Sequence, residues 1–424
     1  MHKKIQRKDG SVIVLVPHIE SKSVTWEIMY KVGSRQETKK INGVSHFIEH
    51  LMFKGTKKRH TTKVLSQQLD AVGAEYNAFT TKDHTGYYIT TAAAHAELGI
   101  DILSDMLLNS TFEKKEMDRE RGVIIEELNM RRDNAMIRID EIFEMVMLRG
   151  SSMAWDVGGP HQVIRAIPHE DLIAFKNKYY YPGNMVIGVA GGFDERKVLR
   201  LINRYLPVKS FKKKAEIRPV KLTQEAPRIA VEYKHTDQAH LMVGFPGYPH
   251  LHRNLDPLIL LSTIMGGTMS SRLFLSIREK RGLAYDIRST TESFEDIGYF
   301  VVQGGFDKGR IYEGLEAVRF ELDRVKKNGI THSELKMVKD NIRGRLTLRF
   351  EKPSTYLSYL LSQEIFTDRM YRLEERLDQL SRVTRDDVNR VARSVIDWKK
   401  SNLALIGPYK NKQKFLRVLT ERSR

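Results

Sequence analysis

The sequence contains no cysteine. Disulfide frameworks and thiolate metal sites are therefore excluded, and any metal must be held by His, Asp or Glu. Long apolar runs are missing too, with no stretch approaching the ~18 residues of a membrane-spanning helix. The opening "MHKKIQRKDGSVIVLVPHIES" is basic but has an apolar run of only four or five residues, shorter than the core of a secretory signal. The expectation is a chain with no membrane partner and a cytoplasmic location. Acidic residues are in deficit, 53 against 71 Lys plus Arg, which leaves a net charge of +18. Such an excess points to nucleic acid when it is clustered and interleaved with aromatics. Here the basic residues are scattered through segments such as "KNKYYY", "SFKKKAEIRP" and "DRVKKNG". That dispersal describes a solvated exterior, so no nucleic-acid partner is expected.

What the chain does have is length and repetition. Its 424 residues, 41% of them apolar, exceed one compact core and imply two or more domains. "GAEYNAFTTKDHTGYYITTAA" from Gly73 and "GLAYDIRSTTESFEDIGYFVVQGG" from Gly282 both open with Gly-x-x-Tyr. Both pass through a polar middle to Gly-Tyr-aromatic, read as a strand, and lead into an amphipathic helix. A second pair follows in the same order, "NMVIGVAGGFDERKVLRLI" from Asn184 and "NLALIGPYKNKQKFLRVL" from Asn402. The offsets are 209 and 218 residues, and two matches in one order argue for duplication. The seam falls in the proline-bearing, basic stretch of residues 206–227. The reading is an α+β protein of two duplicated α/β halves, each a mixed or antiparallel sheet covered by helices on one face. Residues 1–207 form the first, 208–226 the linker and 227–424 the second.

Residues 46–50 read HFIEH. Asn42 is placed to cap a helix here and Gly55 to end it. At ~100° per residue, Val44, Phe47, Ile48, Leu51 and Met52 share one arc, while His46, Glu49 and His50 lie opposite. His46 and His50 are one turn apart, a spacing at which two imidazoles can share a metal. Glu49, beside them, is placed to act as a general base. The order inverts His-Glu-x-x-His, the inverted signature of metallopeptidases. A solvated helix face bearing two histidines is the plainer alternative. A third ligand is required, and "EKKEMDRERGVIIEELNMRRDN" offers Glu120 and Glu127 on a common face; geometry from sequence leaves the two tied.

With these features the chain resembles the inverzincin peptidases of the pitrilysin (M16) family, which includes insulin-degrading enzymes and the processing peptidases. The resemblance runs over nearly the whole chain. It implies one Zn2+ per chain held by His46, His50 and Glu127, the last lying 77 residues beyond His50. It makes Glu120 the supporting acid of the same helix and Glu49 the catalytic base. "NAFTT" resembles the family's edge strand, where Asn77, Ala78 and Phe79 present backbone groups to an extended peptide. "REKRGLAY" resembles its Arg and Tyr pair, Arg278 for the substrate carbonyl and Tyr285 for the oxyanion. The region equivalent to the metal helix, "STIMGGTMSSRL", has no His or Glu. The function implied is a zinc metalloendopeptidase acting on peptides in a closed chamber, with a noncatalytic subunit of the same fold as the alternative. The chain has half the length of the insulin-degrading type, so two chains are expected to assemble, as a homodimer or, alternatively, a heterodimer. Finally, "RIDEIFEM" carries Asp140, Glu141 and Glu144. If the preceding helix continues, Glu141 returns near the face of Glu127 and builds an acidic wall that favours basic peptides.

Overall fold

The computed structural model describes residues 2–208 and 219–421. These fall into two compact units. The first draws on the described residues of Met1–Asn129, Trp155–Arg218 and Thr347–Arg372, the second on those of Met130–Ala154, Pro219–Leu346 and Leu373–Arg424.

The first unit is built on six strands: β1 (Lys3–Gln6), β2 (Val12–Pro17), β3 (Ser23–Tyr30), β4 (Glu75–Thr80), β5 (Thr85–Ala92) and β6 (Met185–Gly191). Their order is β1-β2-β6-β3-β5-β4, with β2 and β6 parallel and the other neighbours antiparallel. The second unit holds β7 (Arg228–Tyr233), β8 (Gln238–Pro246), β9 (Ala284–Ser293), β10 (Gly298–Asp307) and β11 (Asn402–Gly407). Their order is β7-β11-β8-β10-β9, again with one parallel pair, β7 with β11. Apart from β1, the two sheets follow the same path. The repeated Gly-x-x-Tyr and Gly-Tyr-aromatic segments become β4–β5 and β9–β10, and the Asn184 and Asn402 segments become β6 and β11. Both repeats therefore put their Gly-x-x-Tyr strand at a sheet edge.

One face of each sheet carries the main core. In the first unit Trp26, Ile28, Tyr87 and Ile89 pack with Phe47, Ile48 and Leu51 and with the Ala96–Asn109 helix. Sequence reading leaves the opposite faces bare, but each is covered by one more helix. In the first unit this is Pro353–Thr367, whose Leu357, Leu360, Leu361 and Ile365 lie on Val12, Val14, Val16, Val186 and Ala190. In the second it is Ala135–Met147, whose Ile139, Ile142, Phe143 and Met147 lie against Met242, Val301, Ala404 and Ile406. Burial on both faces explains why β2 and β6 are almost continuously apolar instead of alternating. Gly188 permits the close approach, since a Cβ there would lie 2.7 Å from Leu361.

The compact units are consequently not the contiguous halves read from sequence. A helix encoded in the first repeat completes the second sheet, and one encoded in the second repeat completes the first. Of the linker expected at 208–226, residues 209–218 lie outside the described residues. Beyond them Val220 and Leu222 already pack on the second unit's core, and Gln224 donates to the Ser401 carbonyl at 3.0 Å.

Candidate metal centre and active site

The metal-motif helix spans Val44–Met52. Val44, Phe47, Ile48, Leu51 and Met52 are buried while His46, Glu49 and His50 are only partly so, as the helical arc dictates. Its ends differ from the sequence reading. Gly43 precedes the first turn and has no side chain to offer, and the helix closes at Met52 without reaching Gly55. Asn42 does not cap. Its amide donates to Glu37 and to the Asp156 carbonyl at 2.8 and 2.9 Å. Glu37 takes over the cap: its carboxylate accepts the backbone N–H groups of Gly43 and Ser45, both at 2.8 Å. A carboxylate at this end also complements the helix dipole. Burial nonetheless pushes its pKa up to about 7, against the opposing pull of its hydrogen bonds to Asn42, Ser45 and Gly43.

The helix Lys114–Asp133 supplies the acids and resolves the tie between them. Glu127 Oε2 lies 3.3 Å from His50 Nε2 and 3.7 Å from His46 Nε2. Glu120 instead reaches the other side of the same ring, 3.2 Å from His50 Nδ1, and its second oxygen pairs with Lys54 at 2.6 Å. His46, His50 and Glu127 are the group among the described residues able to hold a metal, with one donor atom from each within 4.8 Å of the others. A tetrahedral ion with bonds of ~2.1 Å needs ligand atoms ~3.4 Å apart, close to the separations Glu127 makes. Two imidazoles and a carboxylate are a zinc-type donor set, and a carboxylate on the far nitrogen is how such a His is oriented. The residues fit the group. Burial opposes a charged His50, but its bonds to Glu120 and Glu127 and the charges of Glu127 and Glu49 outweigh it and lift its pKa to about 9.

Glu49 sits beside the group with its carboxyl pushed up, chiefly by burial; a hydrogen bond from Thr80 and the charge of His50 work the other way. Thr80 Oγ1 donates to Glu49 Oε2 at 2.5 Å. β4, which Thr80 ends, bonds β5 on one side only, with Ala78 opposite Tyr87 and Phe79 opposite Gly86. Asn77, Ala78 and Phe79 therefore lie on an edge strand. The Ala78 N–H is taken by the Asn77 side-chain oxygen at 2.9 Å.

In the second unit Arg278 is the penultimate residue of a short π-helical turn, Phe274–Glu279, and Tyr285 is the second residue of the edge strand β9. The guanidinium lies over the Tyr285 ring at 5.1 Å and over Phe274 at 4.7 Å. Tyr285 is 76% exposed, with the Arg278 cation over its ring.

The acidic wall takes a different form. The acid-bearing helix stops at Asp133, and Asn134 caps a new one by accepting the Met136 N–H at 3.0 Å. Glu141 is neutralised by Arg131 and Arg138, each at 3.0 Å. Glu144 accepts the Tyr299 hydroxyl, and burial raises Asp140 to about 6. The preference for basic peptides loses its support.

Family models match both parts of the chain. "Insulinase (Peptidase family M16)" covers residues 12–156 and "Peptidase M16 inactive domain" covers 166–342. The chain belongs to peptidase family M16. A relative from Streptomyces coelicolor, named an uncharacterized zinc protease, is 34% identical over 92% of this chain and 86% of its own. A Bacillus subtilis protein of similar name is 32% identical over 97% of this chain and 99% of its own. Among solved structures, a protease from Helicobacter pylori superposes with a TM-score of 0.88 at 24% identity, over 96% of this chain and 99% of that one. The periplasmic protease PqqL from Escherichia coli matches all of this chain with half of its own, at a TM-score of 0.84 and 19% identity. The M16 "inactive domain" match falls mainly on the second repeat, whose helix Leu255–Gly266 has no His or Glu. No helix among the described residues is long and apolar enough to cross a membrane.

Sequence reading passes over Glu37, Lys54 and Thr80. Thr80 stands inside the quoted "NAFTT", but a hydroxyl facing across to Glu49 leaves no periodic signal. Glu37 acts from a loop, where no spacing rule applies.

Proposed function

We propose that the protein is a zinc metalloendopeptidase that hydrolyses extended peptides or short unfolded segments. The observation that carries this reading is the convergence of His46, His50 and Glu127 beside a partly buried Glu49, next to an edge strand. His46, His50 and Glu127 would hold one zinc per chain, which when bound supplies Lewis acidity to a carbonyl and lowers the pKa of water. Glu49 takes the proton of the attacking water and returns it to the leaving amine. Glu120, itself paired with Lys54, fixes the ring of His50. The peptide adds to β4 as a further strand, so main-chain bonds hold it with little demand on sequence. An incoming carbonyl then replaces the Asn77 oxygen on the Ala78 N–H. Arg278 and Tyr285 donate to the oxygen that gains negative charge.

We further propose that two copies of the chain assemble as a homodimer and enclose the substrate. The longer chain PqqL shares this fold over half of its length, so a chain of this fold can carry as much protein again beside it, as a second copy would here.

The test is cleavage of a mixed peptide pool by purified protein, with and without a zinc chelator, read by mass spectrometry alongside light scattering. Chelator-sensitive internal cuts by a dimer are expected. Zinc-loaded protein that cuts nothing overturns the peptidase reading, and cleavage that appears only on adding a different chain makes this a partner-dependent subunit. Full activity from a monomer overturns the homodimer.

A further inference from the structure

We propose that Thr80 is a positioning residue that ties the base Glu49 to the strand on which the peptide is read. This deepens the peptidase reading and rests on it.

The geometry begins at the end of β4. Thr80 is its last residue, paired with Thr85 across the β4–β5 hairpin. Its hydroxyl donates to Glu49 Oε2 at 2.5 Å. Glu49 belongs to a different element, the metal helix, so this one bond joins the base to the strand carrying Asn77, Ala78 and Phe79.

Thr80 is itself firmly placed. In the turn that follows, the Thr81 hydroxyl donates to the His84 carbonyl and accepts the His84 N–H, at 2.9 and 3.1 Å. The turn is gripped by the loop before the metal helix. Ser34 N–H donates to the Thr81 carbonyl at 3.2 Å and Arg35 N–H to the Lys82 carbonyl at 2.9 Å. The Arg35 guanidinium meets Asp83 at 3.0 Å, with both side chains buried. The same loop contains Glu37, which holds the N-terminus of the metal helix. Residues 34–37 thus bracket two elements, and the Thr80–Glu49 bond closes the ring formed by loop, helix, strand and turn.

A carboxylate that must take a proton from water needs a set direction. Glu49 has two oxygens, and Thr80 occupies one of them. The other is left to face the reacting water, so the hydroxyl fixes which oxygen acts and where it points. Misplacement by ~1 Å in such a geometry costs ~100-fold in rate. Because the reference point is the peptide-binding strand, base and scissile bond are set in one frame.

The experiment compares Thr80→Val, which keeps shape and removes the hydroxyl, with Thr80→Ser, which keeps the hydroxyl. In the zinc-loaded protein Thr80→Val is expected to lower kcat by ~10–100-fold with KM changed less than ~3-fold and zinc content unaltered. Thr80→Ser is expected to restore kcat to within ~3-fold. An equal loss in both variants, a loss confined to KM, or full kcat in Thr80→Val overturns the proposal. A thermal-melting cycle of Thr80→Val, Glu49→Ala and the double variant, each of which removes one partner of the bond or both, reads it without catalysis. Non-additive melting shifts are expected, and additive shifts overturn the contact. If wild-type protein cleaves nothing while the cycle shows coupling, the peptidase reading fails and the catalytic purpose of the bond fails with it.

Discussion

Replacing Glu27 with glutamine removes a charge while keeping the acceptor that Ser358 uses. Glu27 lies on β3 under the Pro353–Thr367 helix, is 2% exposed, and accepts the Ser358 hydroxyl at 2.6 Å. Burial raises its pKa from 4.5 to about 7, with the Ser358 bond opposing. Below pH ~4.5 the residue is protonated in folded and unfolded chains alike. As pH rises towards 7 the unfolded chain gives up its proton while the folded one keeps it, so stability present at acid pH is progressively lost. At ~1.4 kcal/mol per pH unit the loss is on the order of 3 kcal/mol and is complete above pH ~7. Glu27→Gln has no proton to lose. Its melting temperature should therefore gain on wild type as pH rises from 5 to 8, by roughly 6–12 °C at about 2–4 °C per kcal/mol. Circular-dichroism melts of both proteins at unit pH steps measure this. The new amide N–H shifts all points alike, so the slope of the difference is the readout. A difference that stays flat from pH 5 to 8 would refute a buried, proton-holding Glu27.

Four further outcomes follow from the site and its supports. Glu49→Gln should keep its zinc by metal analysis and lose peptide cleavage by ~100-fold or more, since it removes the base and no ligand. Glu127→Gln should lower zinc retention in competition with a chelator, with Glu120→Gln weakening affinity by the ~10–100-fold of a supporting partner. Tyr285→Phe should lower kcat more than it raises KM in steady-state assays, because a hydroxyl that meets developing charge acts chiefly in the transition state. Arg35→Met should cost ~3–5 kcal/mol in denaturant titrations by leaving buried Asp83 without its Arg35 partner. Arg35→Met together with Asp83→Leu should recover much of that loss.

Legibility in the sequence tracked distance along the chain. The split of Val44–Met52 into apolar and polar faces needs only nine residues and a helical period, and it was readable. The duplicated segments foretold two similar α/β sheets because strand, turn and helix recur as blocks; the shared strand order comes from the structure. The tie between Glu120 and Glu127 is different. Seven residues apart on one helix, both face the motif, and the distinction lies in which nitrogen of His50 each one meets. Asn134 is a local signal, a side-chain cap, that goes unread when the acids on either side are treated as one helix. The exchange of Ala135–Met147 and Pro353–Thr367 between sheets has no local signature. Each helix carries enough apolar surface to cover a sheet, and nothing in its own residues says which one.

The order of synthesis gives that exchange a cost in time. The last strand of the first sheet, β6, ends at Gly191, but the helix that seals its outer face begins at Pro353, 162 residues later. At ~5–20 residues per second the ribosome needs roughly 8–30 s to deliver it. Throughout that interval Val12, Val14, Val16, Val186 and Ala190 lack their native cover, on strands already able to pair. The second sheet has the opposite history, since its sealing helix is made before any of its strands. A nascent chain cut short before residue 353 therefore leaves an apolar sheet face with no cover of its own, a substrate for chaperones and quality-control proteases.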